Sequence, residues 1–255
     1  YGQTASTQLA PVGGVTNTGT ASASTTVTLG TASTNIVPGM YVVDGGTAIP
    51  RGTFVVTVNS TTSITLNNSV TLSSTAITFF GATSKALMSI RCAPSVDNGV
   101  IGNFGTREVL NRMQLMLKAL DLTLTGTTTG NVLVTVLLNG TPFNATGLTA
   151  TTWTNAIGNK PLTPNSSLAQ IADYAGGNVI IQGGEATGGF FTNSTNNIDL
   201  SNVRDLGNAI LGGGVNQSNA GIYPDGPDTL TVVATNVSTV AQTVQARLSW
   251  SEAQA

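Results

Sequence analysis

Histidine is absent from this 255-residue chain, cysteine occurs once, and charged residues fill only 8% of positions, against about 25% in ordinary soluble domains. Histidine is the side chain most often used for proton transfer near neutral pH and the commonest metal ligand, so whole mechanistic classes fall with it. Neither a Ser-His-Asp nor a Cys-His arrangement can be assembled. Nucleophilic chemistry would then need a lysine or an N-terminal amine as base, and Lys85, Lys118 and Lys160 lie in no Ser-x-x-Lys pattern. They read as solvated lysines. Cys92 can close no disulfide within the chain, and its apolar neighbours mark it as an inert buried thiol. With 9 Lys and Arg against 11 Asp and Glu, a net charge of -2 and no run of either sign, the chain lacks the basic footprint of a nucleic-acid binder or a membrane-surface patch. No apolar run reaches the roughly 18 residues that would cross a bilayer, so no membrane insertion is expected. Tyr1-Gly2-Gln3 shows neither initiator Met nor signal pattern, and the expectation is a soluble fragment or processed product.

What is present is Thr, Ser, Asn, Gly and Val, with hydrophobic residues at 40%. β-Branched residues cover pleated surfaces while Gly, Asn and Pro turn corners, so the chain reads as all-β. Residues 1–21 show little periodicity and are expected to form an arm or linker. Across residues 22–81, five short runs are spaced by turn signals: Thr26 to Leu29, Met40 to Val43, Phe54 to Val58, Ser63 to Leu66 and Ala76 to Phe80. Pro38-Gly39, Asp44-Gly45-Gly46, Pro50-Arg51-Gly52, Asn59-Ser60 and Asn67-Asn68 separate them. They supply the fixed or positive φ values of chain reversals, which implies a small antiparallel sandwich or barrel.

Residues 82–255 carry longer strands, and a jelly-roll-like β-sandwich with one or two short helices is expected. Met113 to Leu124 alternates and then changes face near Ala119 and Leu120, which predicts a bulge. A helical period also fits Val109 to Leu120, and strand is the preferred reading. The run is expected to form a hairpin with Val132 to Leu138, and Leu230 to Ala234 to pair with Val244 to Trp250. Further strands are read at Asn178 to Gln182 and Gly189 to Thr192, and short helices at Ser167 to Tyr174 and Ser201 to Leu211.

Among the acids, Asp225 and Asp228 form the nearest pair a glycosidase could use, but Pro and Gly around them favour a turn role. Asp44-Gly45 and Asp97-Asn98-Gly99 read likewise. Gly212-Gly213-Gly214 and Gly183-Gly184 lack the following Lys-Ser/Thr of a phosphate cradle. Thus no catalytic, cofactor or metal residue is assigned. Trp250 is expected in the core, whereas Trp153, with Tyr223, is the candidate glycan contact.

Pro38-Gly39-Met40, Ile49 to Thr53 and Val58 to Leu66 resemble a small β module of phage tail and fibre proteins. Asn111 to Leu115, Asp205 to Asn208, Ile210 to Gly214, Tyr223 to Asp228 and the ending Ala246 to Ala255 resemble the C-terminal domain of large, VrlC-like structural proteins of T4-like marine cyanophages. That resemblance implies a virion component without enzymatic activity, in a fibre, tail appendage or shell. Its partners would be copies of itself, other virion proteins and a host surface glycan. Neutral strand edges suit self-association, with the residue 1–21 arm as an exchanged strand. A carbohydrate-binding adhesion module is the alternative, and a polysaccharide-degrading enzyme a more distant one.

Overall fold

The computed structural model describes residues 2–92, 96–97, 108–109, 113–125, 130–144, 152–155, 169–174, 179–193, 196–199, 206–207 and 228–254. They form an all-β structure of antiparallel sheets.

Residues 1–21 are expected as an arm, but Gly2–Leu9 and the stretch from Val15 onward are strands of two different sheets. β1 (Gly2–Leu9) runs antiparallel along β19 (Gln242–Gln254) in unbroken register from Gly2 opposite Ser249 to Leu9 opposite Gln242. Alternation places Ala5, Thr7 and Leu9 inward and buried, with Thr4 and Gln8 outward and exposed. The chain then enters the small module through Gly13 and Gly14, both at positive φ (87° and 76°), a conformation glycine adopts without a Cβ penalty. It returns at Ala82, where the Ala10 N–H donates to the Ala82 carbonyl at 3.1 Å. The module is therefore an excursion between β1 and β6 (Ser84–Cys92).

Within the module, β5 (Ser63–Phe80) pairs with β2 (Val15–Leu29) on one side. On its other side lie β4 (Val55–Ser60) near its start and β3 (Tyr41–Asp44) near its end. Two runs expected as separate strands are thus one. Asn67 and Asn68 do not turn the chain. Their side chains reach the neighbouring loop, where Asn67 Oδ1 accepts from the Phe54 N–H at 2.8 Å and Asn68 Nδ2 donates to Thr53 Oγ1 at 3.0 Å. Asn favours turns through such local bonds, and here the bonds go across strands instead. The expected turns at Gly39 and Gly52 are present with φ of 86° and 79°. Alternate residues such as Val42, Val55, Ile64, Leu66, Ile77 and Phe79 fill a separate core, each fully buried side chain contributing about 1.5–3 kcal/mol.

The larger body is a sandwich. One sheet runs β1-β19-β9-β16, with β9 at Met113–Thr125 and β16 at Asn196–Asp199, and β17 (Leu206–Gly207) also pairs with β9. The facing sheet runs β12-β13-β6-β18-β10-β15. Its members are β12 (Thr154–Asn155), β13 (Ala169–Asp173), β18 (Thr229–Asn236), β10 (Val132–Leu138) and β15 (Glu185–Thr192) besides β6. A two-residue pair, β7 (Val96–Asp97) with β8 (Glu108–Val109), and the pair β11 (Thr141–Asn144) with β14 (Val179–Gln182) complete the set. Leu9, Leu120, Val244, Leu248 and Trp250 of the first sheet meet Leu87, Met88, Val134, Val232 and Ile171 of the second in one core.

The strand reading of Met113 to Leu124 holds, and so does its bulge. Ser249 lies opposite Ala119 but Trp250 opposite Leu117. Lys118 is thus the extra residue, which keeps Leu115 and Leu117 on the same buried face as Leu120 and Leu122. Both expected hairpins are corrected. β9 and β10 lie in opposite sheets, as do β18 and β19. An alternating strand can pair beside its neighbour or face it across a core, and local sequence satisfies both arrangements equally. Of the helix expected at Ser167 to Tyr174, the described Ala169–Asp173 is instead strand β13. It pairs with β6 and buries Ala169 and Ile171 on one face and Ala172 on the other. Of Ser201 to Leu211, the described Leu206–Gly207 is strand, and the rest lies outside the described residues.

At one corner β10 and β15 leave their sheet together and continue as β11 and β14. Leu138 lies opposite Glu185 and, beyond the bend, Thr141 opposite Gln182. Glycines make the bend possible. A Cβ on Gly140 would stand 2.5 Å from Ile181 Cγ2, and one on Gly184 would stand 2.8 Å from the Gly140 Cα, with Gly184 at φ 87°.

Candidate functional surfaces

Trp153 sits just before β12, which pairs with β13 and so lies at the margin of the larger sheet. The Arg91 guanidinium lies over its ring, 4.1 Å from the centroid, a cation–π arrangement. The indole also packs against Ala86, Ala172 and Tyr174. Beneath, the Tyr174 hydroxyl donates to Ser89 Oγ at 3.0 Å, and Ser89 Oγ lies 2.6 Å from Thr231 Oγ1. Burial lowers the Arg91 pKa to about 10 while Tyr174 opposes the shift, and the group stays charged at neutral pH. One face of Trp153 is therefore taken by Arg91. Tyr223 and Asp225 lie outside the described residues.

Asp228 accepts from Asn139 Nδ2 at 2.8 Å, and Asn139 Oδ1 accepts from the Thr229 N–H at 2.9 Å. That carboxylate ties two strand ends together. Asp44 accepts from the backbone N–H groups of Gly46, Ala48 and Ile49 at 3.1–3.3 Å, the Asx-type turn that Asp44-Gly45 suggested. Cys92 is buried in the sandwich core. Lysine behaves less uniformly than expected. Lys118 is exposed on its bulge, but Lys85 retains only 4% of its exposure. Desolvation lowers its pKa to about 8. Nothing in the sequence around Lys85 signals this, because the register that places it beside core residue Ala234 comes from β18, far along the chain.

Two recesses stand out. One, of about 410 Å³, lies between module and sandwich and is lined by Gln8, Asn35, Val58, Thr61, Thr125 and Thr243 among others. The other, of about 440 Å³, crosses β1, β19 and β9 and exposes Thr4, Ser6, Asp121, Thr123, Gln245 and Arg247. Arg247 and Asp121 are register partners there, and Asn197 donates to Asp121. Among the described residues, no three His, Cys, Asp or Glu side chains come together as a metal site.

A third feature was not singled out from sequence. Phe80 of β5 lies directly opposite Tyr41 of β3, and Tyr41 bridges to Phe54. The neighbours Phe79, Val42 and Val55 point into the core, so these three rings lie on the module's outer face. The adjacent Phe79-Phe80 pair held the available signal, since one of two consecutive strand residues must face outward.

Comparison with family models, with curated proteins and with solved structures finds no match to this chain. Of the motifs that carry the resemblance, Pro38 to Met40, Ile49 to Thr53, Val58 to Leu66, Met113 to Leu115, Leu206–Gly207, Asp228 and Ala246 to Gln254 fall among the described residues. Ala246 to Gln254 forms most of the central strand β19.

Proposed function

We propose that this chain is a non-enzymatic structural protein of a phage particle, which associates with copies of itself in a fibre, tail appendage or shell. The observation that carries the reading is the outer edge of β1. Its sequence, Gly-Gln-Thr-Ala-Ser-Thr-Gln-Leu, contains no charge and no proline, and among the described residues no strand pairs along that edge. Natural sheets guard free edges with lysine, proline or bulges, whereas an unguarded edge of eight residues is a template for another strand.

A jelly-roll description of the sandwich supports the same reading. Rolled-up ribbons of this kind pair their first strand with the eighth, second with seventh, third with sixth and fourth with fifth. Here β6 pairs with β18, β9 with β16, β10 with β15 and β11 with β14. In this scheme β12 and β13 extend one edge and β19 and β1 the other. Viral shell domains use this architecture, so it accords with the phage resemblance without specifying a position on the particle.

Electron microscopy and mass photometry of the purified chain test the proposal. Regular fibres, rings or closed oligomers are expected. Lysines at outward-facing edge positions, Thr4→Lys with Ser6→Lys, should dissociate them while leaving the fold intact. A monomer at every accessible concentration would refute the reading. Assemblies indifferent to the lysines would place the contact elsewhere than β1.

A further inference from the structure

We propose that the aromatic row Phe80, Tyr41, Phe54 on the outer face of the small module binds a short, neutral glycan chain. Aromatic residues make up only 5% of this protein, yet these three align across adjacent strands. Tyr41 and Phe80 remain 41% and 48% exposed. Folding gains little from large rings left in water, and exposed apolar clusters mark binding surfaces.

The local geometry holds the rings in place. Gly14 lies at the end of the row, and a Cβ there would come within 3.1–3.2 Å of the Phe80 ring. The ring of Phe80 thus lies beside bare backbone. Tyr41 and Phe54 meet edge to face, with centroids 6.5 Å apart and planes at 74°. This makes a stepped wall instead of a flat table. With neighbouring strands about 4.8 Å apart, Phe80 to Phe54 spans about 10 Å, the reach of a few linked sugar rings. The C–H faces of a pyranose carry partial positive charge and stack on the electron-rich face of an aromatic ring.

The flanking row supplies polar contacts. Thr16 lies opposite Thr78, and Thr78 opposite Val43, so two hydroxyls stand beside the rings on the same face. The side chains of both rows are uncharged, which fits a neutral glycan and offers no counter-charge to sulfated or sialylated ones. Area argues against a second protein copy as the occupant. Each aromatic side chain presents about 150–250 Å² in full, so Phe80 and Tyr41 together with half-buried Phe54 and the 45% exposed Val43 offer on the order of 300 Å² of apolar surface, below the roughly 800 Å² per partner of a stable interface.

The test uses the full chain with cellohexaose, maltohexaose and laminarihexaose in titration calorimetry, and an array of neutral, sialylated and sulfated glycans. Binding to at least one neutral glycan is expected, with saturation transfer to aromatic protons. Tyr41→Ala and Phe80→Ala should each weaken it by about tenfold or more, and Thr78→Lys, which leaves every ring in place, should also weaken it. Trp153→Ala should leave it unchanged. Thermal melts confirm folding, and Thr78→Lys serves if a ring variant does not fold. The proposal is overturned if no neutral glycan binds, or if binding is indifferent to Tyr41→Ala and Phe80→Ala. It is equally overturned if these variants change the oligomeric state while no glycan binds, which would assign the row to a second copy. Monomeric wild-type protein that still binds glycan through this row would separate the site from the assembly reading.

Discussion

Replacing Lys85 by Met should stabilise the protein. The lysine shares the inward face of β6 with Met88 and Ile90 across from Ala234, and its pKa falls from 10.5 to about 8 because burial removes water from the ammonium. At 1.36 kcal/mol per pH unit, that drop corresponds to about 3 kcal/mol of destabilisation while the group is charged. Between pH 8 and 10.5 the unfolded chain holds the proton and the folded one does not, so folded stability rises with pH through that window. Below it the whole penalty is present, and above it none remains. Met keeps the volume and flexibility of the stem without the charge. At pH 7 the variant should therefore gain about 3 kcal/mol in urea unfolding, or about 6–10 °C in Tm for a chain of this size. The advantage should shrink steadily from pH 8 upward. A Lys85→Met protein no more stable than wild type at pH 7, or one whose advantage is the same at pH 7 and pH 10.5, would refute the argument that desolvation of the ammonium dominates.

Asn236→Ala should lower the urea midpoint by the equivalent of about 3 kcal/mol with an unchanged m-value. Its buried amide donates to the carbonyls of Ala10 and Val240 at 3.0 and 2.7 Å and accepts from Ser238, so its loss strands several polar groups at the neck of the module. Trp153→Ala should lose about 1–3 kcal/mol, from the cation–π contact and the packing against Ala172 and Tyr174. Arg91→Met should recover part of that loss in the Trp153→Ala background if the cation, not the packing, is what the indole covers. Double-mutant cycles by equilibrium unfolding would measure both terms, and additive effects would show that the two side chains act independently.

Class and composition were legible because they rest on local facts. β-Branched residues alternating in short runs lie half-buried on a pleated surface, and the face change near Ala119 and Leu120 is a local sign of the bulge, which the register with β19 centres on Lys118. The Asp44 turn was equally local, since the carboxylate binds N–H groups within five residues of itself. Pairing was not legible. Nothing near Met113 to Thr125 states whether the next strand lies beside it or across the core, because both options bury the same side chains. Ala169 to Asp173 carries no strong period of its own, and its strand form comes from β6, a partner some eighty residues away. Lys85 is hidden from sequence for the same reason. A lysine's solvation depends on what faces it, and what faces it arrives with β18.

The sequence by itself determined that this protein is all-β, neutral, without histidine chemistry and turned by Gly, Asn, Pro and Asp, since side-chain shape and backbone freedom act over a few residues. Tertiary structure alone decided that residues 2–9 close the sandwich, that the module is an excursion from it, and that Phe80, Tyr41 and Phe54 form one exposed row. Those features depend on strand register, and register is chosen when a whole core is buried at once, not residue by residue along the chain.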